Sequence, residues 1–101
     1  MAENPLKIGQ KVKFDEEKRF NWTVRAVREN FAILTSARHY TIVDFDRGVR
    51  GPDNHYGIGY ETDEQVDNAM RSLFGEGDHD QHTEVSYRHK VKLNITGIKG
   101  P

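Results

Sequence analysis

"YETDEQVDNAMRSLFGEG", residues 60–77, decides the fold. Val66, Ala69, Met70, Leu73 and Phe74 fall at i, i+3, i+4, i+7 and i+8, which lines them up on one stripe of an α-helix. Thr62 and Gln65 have the spacing of a capping box, Asp63 and Glu64 suit the positive end of the helix dipole, and Gly75 or Gly77 supplies a stop. An amphipathic helix needs a second layer to cover. The rest of the chain reads as strands, so that layer is a sheet.

Upstream, "HYTIVDF" (39–45) is rich in β-branched and aromatic residues and apolar on both faces, as a central strand is. "FAILTS" (31–36) pairs back on "FNWTVRAV" (20–27), whose Phe20, Trp22, Val24 and Ala26 alternate with polar residues. Between those two, Asn30 is the residue expected to take the positive φ of a tight hairpin. "IGQKVKF" (8–14) puts Val12 and Phe14 on one face and Lys11 and Lys13 on the other, and "DEEKR" (15–19) reads as a solvated turn. Downstream, "GEGDHDQH" (75–82) reads as a surface loop. Val85, Tyr87, Val91, Leu93 and Ile95 then alternate through a long final strand bent near His89, followed by a frayed tail, "TGIKGP".

The expected architecture is a single α+β domain spanning 1–101, ordered over about 8–96. A small curled antiparallel sheet of about five strands carries one helix, and periodicity leaves open whether that sheet closes as an SH3-like barrel. A chain of 101 residues suits one modest core. There is no cysteine, which removes disulfides, thiol nucleophiles and cysteine-based zinc sites. The start, "MAENPLKIGQ", has no apolar signal-type region and no stretch is long and apolar enough to span a membrane, so a cytoplasmic protein is expected.

The net charge of −1 conceals segregation. Residues 1–43 carry eight Lys or Arg against five acids, residues 44–84 three against eleven, and residues 85–101 four against none. Such asymmetry bears on partners rather than on fold. Lys11 and Lys13, with Arg88, Lys90 and Lys92, would make a continuous positive face if their strands paired, attractive to a nucleic-acid backbone; outward lysines also protect strand edges. The acidic middle supports the opposite idea, a nucleic-acid mimic, although many helices have acidic outer faces.

"DFDRGVRGPDN" (44–54) concentrates the candidate chemistry. Asp44 and Asp46 begin like a calcium loop, but Gly48, Val49 and His55 stand where such a loop needs an oxygen ligand, glycine and a bidentate glutamate. No phosphate-binding fingerprint is present, and Asp63 and Glu64 would repel phosphate from the helix start. Two readings remain. Arg47 and Arg50 pair locally with Asp44, Asp46, Asp53 or Glu61 to shape a turn, or Arg47, Arg50, Asp53 and Asn54 form a recognition element for a partner protein. "DHDQH" (78–82) offers Asp78, His79, Asp80 and His82 without the spacing that preorganises a metal site, and no serine or threonine has a nucleophile-elbow context. No cofactor, metal or catalytic residue is expected.

On "YTIVDFDRGVRGPDN" (40–54), "GIGYETDEQVDNAM" (57–70) and "VSYRHKVKLNI" (85–95), the chain resembles small proteins of unknown function encoded by actinobacterial phages and prophages. The resemblance spans roughly residues 9–95, with the Arg-Gly-Val-Arg-Gly-Pro core its most specific part. It departs in the short "SARH" between Thr35 and Tyr40, where the family carries an insertion, and in Tyr87, where histidine is common. The resemblance implies a mobile-element accessory protein and supplies no catalytic residues. Together with the residues it points to a non-enzymatic protein that binds a protein partner.

Overall fold

The computed structural model of the protein describes residues 4–15, 20–55, 61–76 and 91–100, with the backbone alone for 52–55. Among them are one helix, α1 (Asp63–Leu73), and seven strands: β1 (Lys11–Phe14), β2 (Trp22–Arg28), β3 (Phe31–Ser36), β4 (His39–Asp44), β5 (Val49–His55), β6 (Val91–Lys92) and β7 (Ile95–Lys99). The α+β class is as expected, with seven strands rather than about five. The strands form one antiparallel sheet in the order β6-β5-β4-β3-β2-β1-β7, curled into a half-barrel. Its outermost strands, β6 and β7, are neighbours in sequence, joined by Leu93 and Asn94 alone. Leu93 N–H donates to Gly48 O at 2.9 Å, and Asn94 O accepts from Asp15 N–H at 2.8 Å, so these two residues tie the β5 end of the sheet to the β1 end.

Both faces of the sheet are covered. The concave face holds Val12, Phe14, Trp22, Val24, Ala32, Leu34 and Val43, with Leu6 from the N-terminal arm. The convex face presents Ile33, Tyr40 and Ile42 to Val66, Ala69 and Met70 of α1. Each fully buried aliphatic or aromatic side chain contributes about 1.5–3 kcal/mol, so the helix stripe and the strand interiors are jointly what stabilises a chain of this size. β2 serves both faces because Arg25 is an extra residue between the Val24↔Leu34 and Ala26↔Ile33 pairs. This bulge sends Val24 to the concave core and Ala26 beneath α1, where strict alternation puts the two on one face.

Helix α1 begins and ends as its sequence dictates. Thr62 Oγ1 accepts from Gln65 N–H at 3.1 Å and Gln65 Oε1 accepts from Thr62 N–H at 3.1 Å, completing the capping box. At the other end Gly75, at φ 72°, donates to Ser72 O (3.1 Å) and Glu76 N–H donates to Arg71 O (2.9 Å). This is a Schellman closure, and Phe74 beside it meets Phe31 edge-on with ring centroids 5.5 Å apart.

Four expectations need correction. Residues 49–55 form a strand rather than a turn; the corner itself is only residues 45–48, and an inward arginine with Gly51 and Pro52 disguises the strand pattern. The described part of the expected final strand is divided between opposite edges, Val91–Lys92 on β5 and Ile95–Lys99 on β1, because the curl makes the chain change edges at Leu93 and Asn94; residues 85–90 and the expected bend at His89 lie outside the described residues. Described residues beyond 8–96 also belong to the fold: β7 pairs with β1 from Ile95 to Lys99, Leu6 is buried, and the Asn4 side-chain amide donates to the carbonyls of Glu29 (3.1 Å) and Phe31 (3.0 Å). In the β2–β3 turn Glu29, at φ 55°, takes the left-handed conformation, while Asn30 Nδ2 is held by Asp44 Oδ1 at 2.7 Å.

Ala37, at φ 52° in the β3–β4 turn, and Gly75, at φ 72° with open space around it, make a paired test. A left-handed conformation costs an L-residue about 1–2 kcal/mol, partly offset by the greater chain entropy of glycine. Ala37→Gly is expected to raise stability by about 0.5–1 kcal/mol and Gly75→Ala to lower it by about 1 kcal/mol, both read from denaturant unfolding midpoints.

Candidate functional site

Asp44 builds the corner after β4. Its carboxylate is 2% exposed, and Oδ1 accepts from Asn30 Nδ2 (2.7 Å) and from the backbone N–H groups of Asp46 (3.0 Å) and Arg47 (3.3 Å). Gly48, at φ 67°, closes the turn by donating to Asp44 O at 2.9 Å. Aspartate suits this position because a short acceptor can bond the backbone two and three residues ahead. The sequence reading of Asp44 as a local partner of Arg47 holds in weak form: Arg47 Nε lies 3.8 Å from Asp44 Oδ2 with its side chain 63% exposed, where such pairs contribute little.

Arg50 does not join Arg47 on a surface. It is 1% exposed, opposite Val43 on the concave face, with its guanidinium carbon 4.0 Å from the Phe14 ring centroid and 5.9 Å from that of Trp22. Nη1 reaches Thr41 Oγ1 at 3.4 Å. A guanidinium laid flat on an aromatic ring packs apolar surface against apolar surface while the ring face attracts its charge. Arg50 is therefore part of the core, and the expected four-residue recognition element is divided: Arg47 is outside, Arg50 inside, and the side chains of Asp53 and Asn54 lie outside the described residues.

The basic row is also rearranged. Lys11 pairs across the sheet with Lys99 of β7, and Lys11 Nζ donates to Thr23 Oγ1 at 2.7 Å. Lys92 is on β6 and pairs with Val49 of β5, so of the expected row the described Lys92 does not sit beside Lys11 and Lys13; Arg88 and Lys90 lie outside the described residues. "DHDQH" also lies outside them, and among the described residues no group of three or more His, Asp or Glu could hold a metal ion. No helix among the described residues is long and apolar enough to cross a membrane.

What the fold does create is a groove of about 560 Å³ between β2 and α1. Its lining is Ile8 and Gly9 on one side, consecutive residues 23–28 of β2, and Asp63, Asp67, Met70 and Arg71 of α1. That volume lies within the roughly 300–1,000 Å³ typical of ligand sites. Ile8, 62% exposed, stands at its mouth. Charged clasps hold the two ends: Arg25 Nη2 meets Asp63 Oδ1 at 3.0 Å, and Arg28 forks onto both carboxylate oxygens of Glu76 while its guanidinium carbon lies 4.1 Å over the Phe74 ring. The hydrogen bond from Arg28 holds the Glu76 carboxyl below its usual range, and the same bond raises Arg28. A depressed carboxylate supports the folded state above its unfolded value and loses that support as pH falls through the folded one, so this clasp weakens only in acid.

None of Ile8, Asp67 and Arg71 stood out in the sequence. An isolated isoleucine before a glycine and two charges on the polar side of a helix are ordinary, and they meet only where the N-terminal arm and α1 both pack beside β2. Comparison with protein-family models, with curated proteins and with solved structures found no match for the chain.

Arg50→Ala is expected to destabilise the fold by about 2–4 kcal/mol, since it empties a buried volume and removes the ring contact. Arg50→Met, which refills that volume without the charge, is expected to recover at least half of the loss. Equilibrium unfolding in urea measures both, and an Arg50→Ala protein as stable as the parent would contradict the structural role.

Proposed function

We propose that the protein is a non-enzymatic accessory protein of the phage or prophage type, an SH3-like small barrel with one helix, working in the cytoplasm by binding a protein partner through the groove between β2 and α1. The observation that carries this reading is the groove itself, with Met70 and Ala26 in its lining, Ile8 exposed at its mouth and charges along its rim. Protein recognition sites favour this composition, an apolar centre excluding water inside a polar margin that sets register. The Arg-Gly-Val-Arg-Gly-Pro resemblance supports the class of protein. It no longer supports Arg50 as a contact residue, and leaves Arg47 as the accessible one.

A second reading, nucleic-acid binding, is favoured by one observation: Lys11 and Lys99 face each other on neighbouring strands, both exposed, with Lys13 two residues along. Like charges set side by side are unfavourable unless an anion covers them.

Capture of host proteins by the immobilised chain separates the two readings. Binding through the groove predicts that Ile8→Glu loses the captured protein while the Lys11→Glu, Lys13→Glu double variant keeps it, both variants melting with the parent. Binding through the lysine row predicts the opposite pattern. It also predicts an oligonucleotide affinity that falls steeply with salt, with a slope of roughly −0.9 per phosphate contacted on a double strand.

A further inference from the structure

We propose that the groove takes an extended peptide as an added strand on the open edge of β2, an inference that rests on the groove being the binding site. Six consecutive residues of β2, 23–28, line it. Side chains alternate between faces, so a run of consecutive lining residues marks the edge of a strand and not a face.

The backbone bonds of β2 show where that edge is open. At one end Val24 is covered by the N-terminal arm: its N–H donates to Gln10 O and its carbonyl accepts from Gly9 N–H, both at 2.9 Å. At the other end Asn4 Nδ2 caps Glu29 O. Arg28 and Phe31 flank a two-residue turn, so the N–H and C=O of Arg28 face β3. Alternation then turns those of Val27 away from β3 into the groove, where among the described residues no backbone group outside the β2–β3 ladder bonds them, the passing N-terminal arm included. β1, only Lys11–Phe14, stops short of this stretch.

The chemistry of the peptide follows from the facing wall. Asp67 and Arg71 are exposed one helical turn apart, and among the described residues neither makes a close ion pair, Asp67 acting on Arg28 and Arg71 on Glu76 only at longer range. Four residues of helix rise about 6 Å, and two residues of strand about 6.6 Å. A peptide with one acidic and one basic side chain at i and i+2, both turned toward α1, meets both groups. Helix α1 runs alongside β2, with Asp63 beside Arg25 and Glu76 beside Arg28. Antiparallel addition, the rule throughout this sheet, takes the peptide from Arg71 toward Asp67. The order in the peptide is therefore acidic, apolar, basic, with the middle side chain turned away from the helix toward Ile8.

The test uses the whole chain and a display library of random linear heptapeptides. In the free protein the Val27 amide is expected to exchange with solvent far faster than those of Ala26 and Arg28. Selection is expected to enrich the acidic-x-basic pattern among strand-forming residues, and a synthetic winner to slow Val27 exchange at least tenfold. Methylating the peptide amides that face β2 is expected to weaken binding at least tenfold, and methylating the alternate ones to leave it unchanged. Asp67→Lys is expected to change the selected basic residue to an acidic one. A Val27 amide already protected in the free chain, a library with no enrichment, or winners indifferent to amide methylation would each overturn strand addition. The broader reading of the groove is judged separately, by whether Ile8→Glu abolishes capture of the host protein.

Discussion

Much of this structure depends on one extra residue. Were Arg25 an ordinary member of the ladder instead of a bulge, Val24 and Ala26 would share a face, and the strand could not fill the concave core with Trp22 and Val24 while also supplying Ala26 to the floor under α1. A bulge bends the strand that contains it and increases its twist. Here the residue it inserts also reaches Asp63, in the first turn of α1, where a carboxylate already suits the helix dipole. One local irregularity thus sets the sidedness of β2 and contributes to the curl of the sheet. The contacts of Arg25 with Asp63 and of Arg28 with Glu76 mark the two ends of the helix but are exposed pairs of small weight, and it is the apolar stripe of Val66, Ala69 and Met70 that docks it.

The second constraint is how so small a sheet fills its interior. A curled sheet of short strands has room on its concave side for few large groups, and here they are Phe14, Trp22 and an arginine. Arg50 fills volume as a long apolar side chain does, and its flat charged end lies on a ring rather than in an aliphatic surround. The outer turn and the inner arginine belong to one short segment, yet they do different work. Asp44 shapes the corner by accepting backbone N–H groups, and Arg50 packs the centre two strands from Ala32 and Leu34.

Parts of this were legible in the sequence and parts were not, for reasons that differ by residue. The helix was legible to its caps, because Thr62, Gln65 and Gly75 act on their own neighbours and local chemistry is what a sequence displays. The β2–β3 hairpin was legible in place, although its left-handed residue is Glu29, Asn30 being engaged by Asp44 from another turn. β5 was hidden, because an inward arginine reads as a surface residue until the aromatic ring beneath it is known. The division of the last strand was hidden too: alternation continues through Leu93 to Ile95, and nothing local announces that the chain has changed edges. The groove was least legible of all, since it arises where the N-terminal arm and α1 both pack beside β2 and no single residue encodes it.

An open strand edge invites aggregation, and proteins usually blunt such edges with charge, bulges or cover. The edge of β2 carries all three: Arg25 and Arg28 flank it, the bulge twists it, and α1 with the N-terminal arm walls it in. These devices exclude a flat second sheet, because a broad surface cannot enter between the arm and the helix. They do not exclude a single extended segment narrow enough to lie in the groove and charged so as to meet Asp67 and Arg71. Protection against general strand pairing and selection of one kind of strand are then the same physical arrangement, and its selectivity comes from the walls while its affinity comes from the backbone.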